Sequence, residues 1–96
     1  MSCVQIVEDG FELIGEFNFD NIHKIEVELL KLLHKSEKFV NIHLDRVEKC
    51  DSSLLALLMV LVNYAKKKHK VIKFHHAPEQ LKSIAKLSGL DGSLDI

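Results

Sequence analysis

Residues 52–68 run without a glycine or proline and are apolar on most sides, and this stretch constrains the fold more than any other. A helix on the surface of a small domain needs an apolar stripe over about a third of its circumference. Here Leu55, Leu58, Met59 and Val62 form one stripe and Leu54, Leu57, Leu61 and Tyr64 form its neighbour, together more than one sheet can bury. The remaining strip is Ser52/Ser53, Ala56, Val60, Asn63 and Lys67, small and weakly polar near its start. Small side chains at a helix start allow another backbone or an anion to approach closely. Two readings follow: a core helix with a mildly apolar outer face, or a protein–protein surface, which exposed apolar patches often mark. Asp51 is a natural N-cap for this helix, and its charge suits the positive end of the helix dipole. Lys66, Lys67 and Lys68 fill the last turn, where cations suit the negative end.

The flanking segments predict a sheet for this helix to cover. Val4 to Val7 and Phe11 to Phe17 are rich in β-branched and aromatic residues, and Asp9-Gly10 between them signals a hairpin. Ile22, Ile25, Leu29 and Leu32/Leu33 then follow a helical period, capped by Asn18 or Asp20 and ended by Lys35 to Lys38. Phe39 to Leu44 alternates, with Val40, Ile42 and Leu44 on one face, and predicts a strand; Asp45 to Lys49 reads as a polar linker. Val71 to Phe74 is a short strand. Pro78 suits a first helical position, Glu79 to Leu87 a third helix with Leu81, Ile84, Ala85 and Leu87/Leu90 on its apolar face, and Gly89 its stop. The expected architecture is a single α/β domain over residues 1–96, in the order β-β-α-β-α-β-α, with helices mainly on one face of a mixed sheet. Leu13, Val40, Ile42, Leu44, Leu55, Leu58, Val62, Ile72 and Ile84 are the expected core.

Composition narrows the function classes. Of 96 residues, 47% are hydrophobic and 28% charged, which excludes a disordered chain, and four glycines with one proline exclude a collagen-like one. A net charge of −1 and the lack of any zinc-finger or RNA-binding signature argue against a nucleic-acid partner. Cys3 and Cys50 alone can build neither a disulfide framework nor a four-ligand zinc site. The first ten residues carry no basic-then-apolar signal pattern, and the run Leu54 to Val62 is about half of the ~20 residues a membrane span needs. A cytoplasmic protein without direct membrane insertion is expected.

Reactive constellations are sparse. Ser52 or Ser53 with Asp51 and His43 lacks the oriented histidine and separate oxyanion hole that a catalytic triad requires. His75 and His76 leave a strand on opposite sides, and His23 and His34 lie about three helical turns apart, so neither pair holds a metal. The run Lys66 to Lys70 reads as a solvated helix end, with anionic lipid headgroups as the other candidate. No enzyme activity, cofactor or metal is expected.

The segment Ile42 to Leu58, with Asp51-Ser52-Ser53 opening a helix after a strand and short loop, resembles the STAS family of sulfate-transporter and anti-sigma factor antagonist domains. Leu13 to Phe17 and Ala85 to Leu90 also have counterparts there. The short length and the segments Leu55 to Leu58 and Tyr64 to Lys67 are most similar to the small cytoplasmic subunit of a phospholipid-moving ABC transporter, which maintains outer-membrane lipid asymmetry in Gram-negative bacteria. The resemblance implies a partner-binding corner at Asp51, Ser52 and Ser53, continued along the helix by Ala56, Val60 and Asn63. In the transporter branch the partner is the ATPase subunit, with the chain peripheral to the inner membrane through its complex. In the antagonist branch the partners are an anti-sigma factor and a serine kinase, and the residue matching Ser53 is phosphorylated. Nucleotide binding has been suggested for the family, but this sequence has no glycine-rich phosphate cradle. The chain departs from the family pattern at Leu54, where glycine is frequent and leucine is expected to crowd the corner, and at His43, where aspartate is frequent. Glutamate at Ser52 or Ser53 is expected to leave the fold intact and to weaken binding.

Overall fold

The computed structural model describes residues 2–96. Two β-rich segments joined through Glu8-Asp9, one residue earlier than the expected Asp9-Gly10 turn, form an antiparallel hairpin, β1 (Ser2–Val7) and β2 (Gly10–Phe17), in which Gly10 already pairs with Val7. The chain then forms α1 (Ile22–Lys35), β3 (Phe39–Cys50), α2 (Ser52–Lys67), β4 (Val71–His75), α3 (Glu79–Leu87) and a final turn, α4 (Asp91–Leu94). The sheet order is β1-β2-β3-β4, with β2, β3 and β4 mutually parallel. Each parallel step moves the same way across the sheet and crosses over through a helix. Because such crossovers are right-handed, α1 and α2 lie on one face. Burial along β2 alternates in register, with Phe11, Leu13, Gly15 and Phe17 facing the helices and Glu12, Ile14 and Glu16 facing away.

The expected strand and helix order therefore stands, and one linker does not. Asp45 to Lys49 continues β3 to Cys50 rather than leaving the sheet. Its polar pattern hides the strand because the pairing with β2 slips between Glu12 and Ile14 and again between Gly15 and Glu16. Those slips bring Leu44, Val47 and Cys50, three residues apart, onto the buried face, so the two-residue period is lost. At the start of the same pairing, any side chain on Gly10 would collide with the Asn41 carbonyl.

Other boundaries shift for local reasons. Asn21 rather than Asn18 or Asp20 is the N-cap of α1, with no side-chain cap bond; the Asn18 carbonyl oxygen Oδ1 instead accepts from the N–H groups of Asp20 and Asn21 at 3.0 and 3.3 Å. Pro78 is the N-cap of α3, not its first helical residue. Leu87 points away from the core, whereas Leu94 of the unforeseen α4 is buried in it. The core otherwise forms as expected: Leu13, Val40, Ile42, Leu44, Leu55 and Leu58 are buried, and Val62, Ile72 and Ile84 pack half-buried against them.

The doubled apolar stripe of α2 is accounted for within the molecule. Leu54, Leu55, Leu57, Leu58 and Leu61 are all buried, because α2 sits between α1 on one flank and α3 with α4 on the other as well as on the sheet. Three sides are covered, and one strip is left to solvent.

Candidate partner-docking corner

Where β3 ends, Cys50 turns inward and Asp51 stops the strand. Its backbone is extended and its side chain accepts from the N–H of Ser53 at 2.9 Å, which makes it the N-cap that the sequence predicts. The same carboxylate oxygen accepts the Ser53 hydroxyl. The other accepts the Phe19 N–H at 3.3 Å, and the Asp51 N–H donates to the Phe17 carbonyl at 3.2 Å. One side chain thus ties the start of α2 to the loop between β2 and α1. On the opposite side, the Gln80 side chain of α3 accepts the Cys50 N–H at 3.2 Å. The corner is held by three elements.

These bonds set its electrostatics. Burial works to raise the Asp51 pKa, but the hydroxyl and N–H of Ser53 and the N–H of Phe19 outweigh it and hold the carboxyl below its usual range. Burial pushes the Cys50 thiol up, and the adjacent Asp51 charge adds to that shift, so Cys50 stays a neutral core residue.

The six residues expected at the partner surface separate into two groups. Ser52, Ala56, Val60 and Asn63 form an exposed strip along α2, with Val60 38% exposed. Asp51 is half-buried beside it. Ser53 leaves the strip: it is only 5% exposed, and its hydroxyl points into the cap. Leu54 is fully buried, so it fills the core instead of crowding the corner. The helical spacing alone could not distinguish Ser52 from Ser53, because both lie at the edge of the strip.

Phe19 is a further element of the corner. It is 72% exposed although its backbone is bonded to Asp51. Its signal in the sequence is weak, since it sits alone in the turn Asn18 to Asn21, where no alternation assigns it a face.

His43 lies elsewhere. It stands on the open face of the sheet, its Nε2 2.9 Å from Asp9 Oδ1, with its ring stacked on that of His75 at 5.0 Å. The His75 Nε2 is 2.6 Å from Asn41 Oδ1. The bond from His43 holds the Asp9 carboxyl below its ordinary range, against the opposing effect of burial and with help from the His43 charge. The network ties the hairpin turn to β3 and β4, so His43 is engaged with Asp9 rather than with the serines.

The profile of the MlaB STAS-domain family matches residues 6–95. No curated protein sequence is significantly similar to the chain. Among solved structures, the unphosphorylated anti-sigma factor antagonist SpoIIAA superposes with a TM-score of 0.75 at 14% identity, over 96% of this chain and 84% of that one. A Thermotoga maritima protein assigned as an anti-sigma factor antagonist gives 0.76 at 21% identity, over 95% of this chain and 80% of that one. At these identities the two structures attest the fold, whereas the profile spans nearly the whole sequence. The chain belongs to the MlaB-type STAS-domain family.

Proposed function

We propose that the chain is a non-enzymatic binding subunit that docks on, and regulates, the ATPase of a phospholipid-transporting ABC complex. The observation that carries this reading is the exposed strip Ser52, Ala56, Val60 and Asn63, which runs on from a rigidly capped corner on a helix whose other sides are all covered. A partner helix can pack closely against such small side chains, and the fixed cap means little ordering entropy is lost on contact. Asp51 and Ser53 support the surface from behind, and exposed Phe19 offers an aromatic anchor at its end. Family membership supports the transporter branch. The chain works at the cytoplasmic side of the inner membrane through that complex. Co-expression with the ATPase and permease subunits of the host tests the reading: the ATPase should co-purify with the chain in stoichiometric amount. Its absence would contradict the proposal.

A second reading, an anti-sigma factor antagonist switched by phosphorylation of Ser53, draws on the fold shared with SpoIIAA. The Ser53 hydroxyl is buried and committed to Asp51, so a kinase would reach it only if the first turn of α2 opened. A phosphate there would also adjoin a carboxylate. These features favour the first reading. Phosphate incorporation at Ser53 by a host serine kinase, with loss of anti-sigma factor binding, would establish the second.

A further inference from the structure

The chain has almost no net charge, but its lysines are unevenly placed. The C-terminal ends of α1 and α2 and the beginnings of β3 and β4 converge at the pole of the molecule opposite the docking corner. The Val71 N–H donates to the Lys38 carbonyl at 2.8 Å, and the Lys70 Nζ reaches the Leu33 and Ser36 carbonyls at 2.7 Å. This convergence gathers Lys35, Lys38, Lys66, Lys67 and Lys68, all exposed and none in an ion pair among the described residues. Glu8, Asp9 and Glu37 line a shallow cleft at the hairpin side of the same pole, and Asp9 is already held by His43.

Two apolar side chains lie among these cations. Phe39 and Val71 are register partners on adjacent strands, 68% and 50% exposed, and the Lys38 ammonium sits 5.7 Å from the Phe39 ring centre. We propose that this pole is a peripheral contact for an anionic lipid surface, with the free lysines held at the headgroups and Phe39 and Val71 at the interface. The pole has lysines and no arginine. Lysine is a mobile point charge suited to a diffuse anionic layer, whereas a fixed carboxylate site on a protein favours the arginine fork. Clusters of several lysines beside apolar groups are the chemistry that anionic leaflets attract. The sixteen residues of α2 put this pole roughly 24 Å from the corner, so lipid and a protein partner can be held together.

Co-sedimentation of the full chain with vesicles tests the proposal. It should pellet with phosphatidylcholine vesicles containing about a third phosphatidylglycerol and stay in solution with phosphatidylcholine alone. Raising the salt should release it. The triple variant Lys66→Gln, Lys67→Gln, Lys68→Gln should lose about fivefold in affinity per lysine removed, and should still unfold in one cooperative transition, at a slightly lower temperature because three exposed cations no longer face the negative end of α2. Phe39→Ser should weaken binding without altering its salt dependence. The proposal is overturned by failure to pellet with the anionic vesicles, by equal binding to neutral ones, or by undiminished binding of the triple variant.

Discussion

Ser52 and Ser53 are adjacent in sequence and differ in everything else. Ser52 is exposed in the first turn of α2, so Ser52→Glu should stabilise the free domain by about 0.3–1 kcal/mol through the helix dipole. Ser53→Glu forces a second carboxylate into a buried site beside Asp51, and should cost roughly 2–4 kcal/mol in chemical unfolding, where the sequence alone suggested tolerance. Asp51→Ala removes the acceptor for two N–H groups and a hydroxyl, with an expected loss of about 0.5–2 kcal/mol. Because the folded pKa of Asp51 is depressed, its charged form contributes stability above the unfolded carboxylate value. That contribution disappears as the pH falls from about 4 through the depressed folded value. Asp51→Asn, which cannot titrate, should therefore differ most from the native chain near neutrality and converge on it in acid. Unfolding midpoints across that range measure this. The cap was legible in the sequence because Asp-Ser-Ser before an apolar run has one simple reading. The burial of Ser53 was not, since its hydroxyl turns into the local cap at Asp51 and two adjacent serines at the edge of a strip carry no signal for which of them does so.

The elements were legible wherever one physical period governed them. α2 and α3 match their predicted spans within a residue because unbroken helical periodicity and charged ends mark them. The second half of β3 was hidden by two slips in pairing, and α4 by its four-residue length, which leaves no period to read. The doubled stripe of α2 suggested an interface because the sequence cannot show that α1, α3 and α4 flank it. A lysine also joins elements that the sequence presents as separate. Lys70 donates to the carbonyl of Leu33 in the last turn of α1 and to that of its C-cap, Ser36, and supplies the cation at that helix end. Lys70→Met keeps the aliphatic stem and removes the donor. It should lower stability by about 1–2 kcal/mol in denaturant unfolding and increase hydrogen exchange in the last turn of α1.

At the scale of the molecule, one core supports two ends with different surfaces. Ile42 and Leu58 face each other's layers and are 1% and 0% exposed, so Ile42→Ala and Leu58→Ala should each cost about 2–5 kcal/mol in denaturant unfolding, a large share of the stability of so small a domain. The strip on α2 should behave in the opposite way, since it contributes nothing to that core. Ala56→Arg probes the role of this strip in docking: the residue is exposed, so added bulk and charge meet only a partner. Titration calorimetry of the variant against the purified ATPase subunit, alongside its thermal unfolding, is the decisive measurement. The unfolding temperature should be unchanged from the native chain and binding weakened by a factor of ten or more, about 1.4 kcal/mol. Native affinity in a normally folded Ala56→Arg variant would contradict the strip's role in docking.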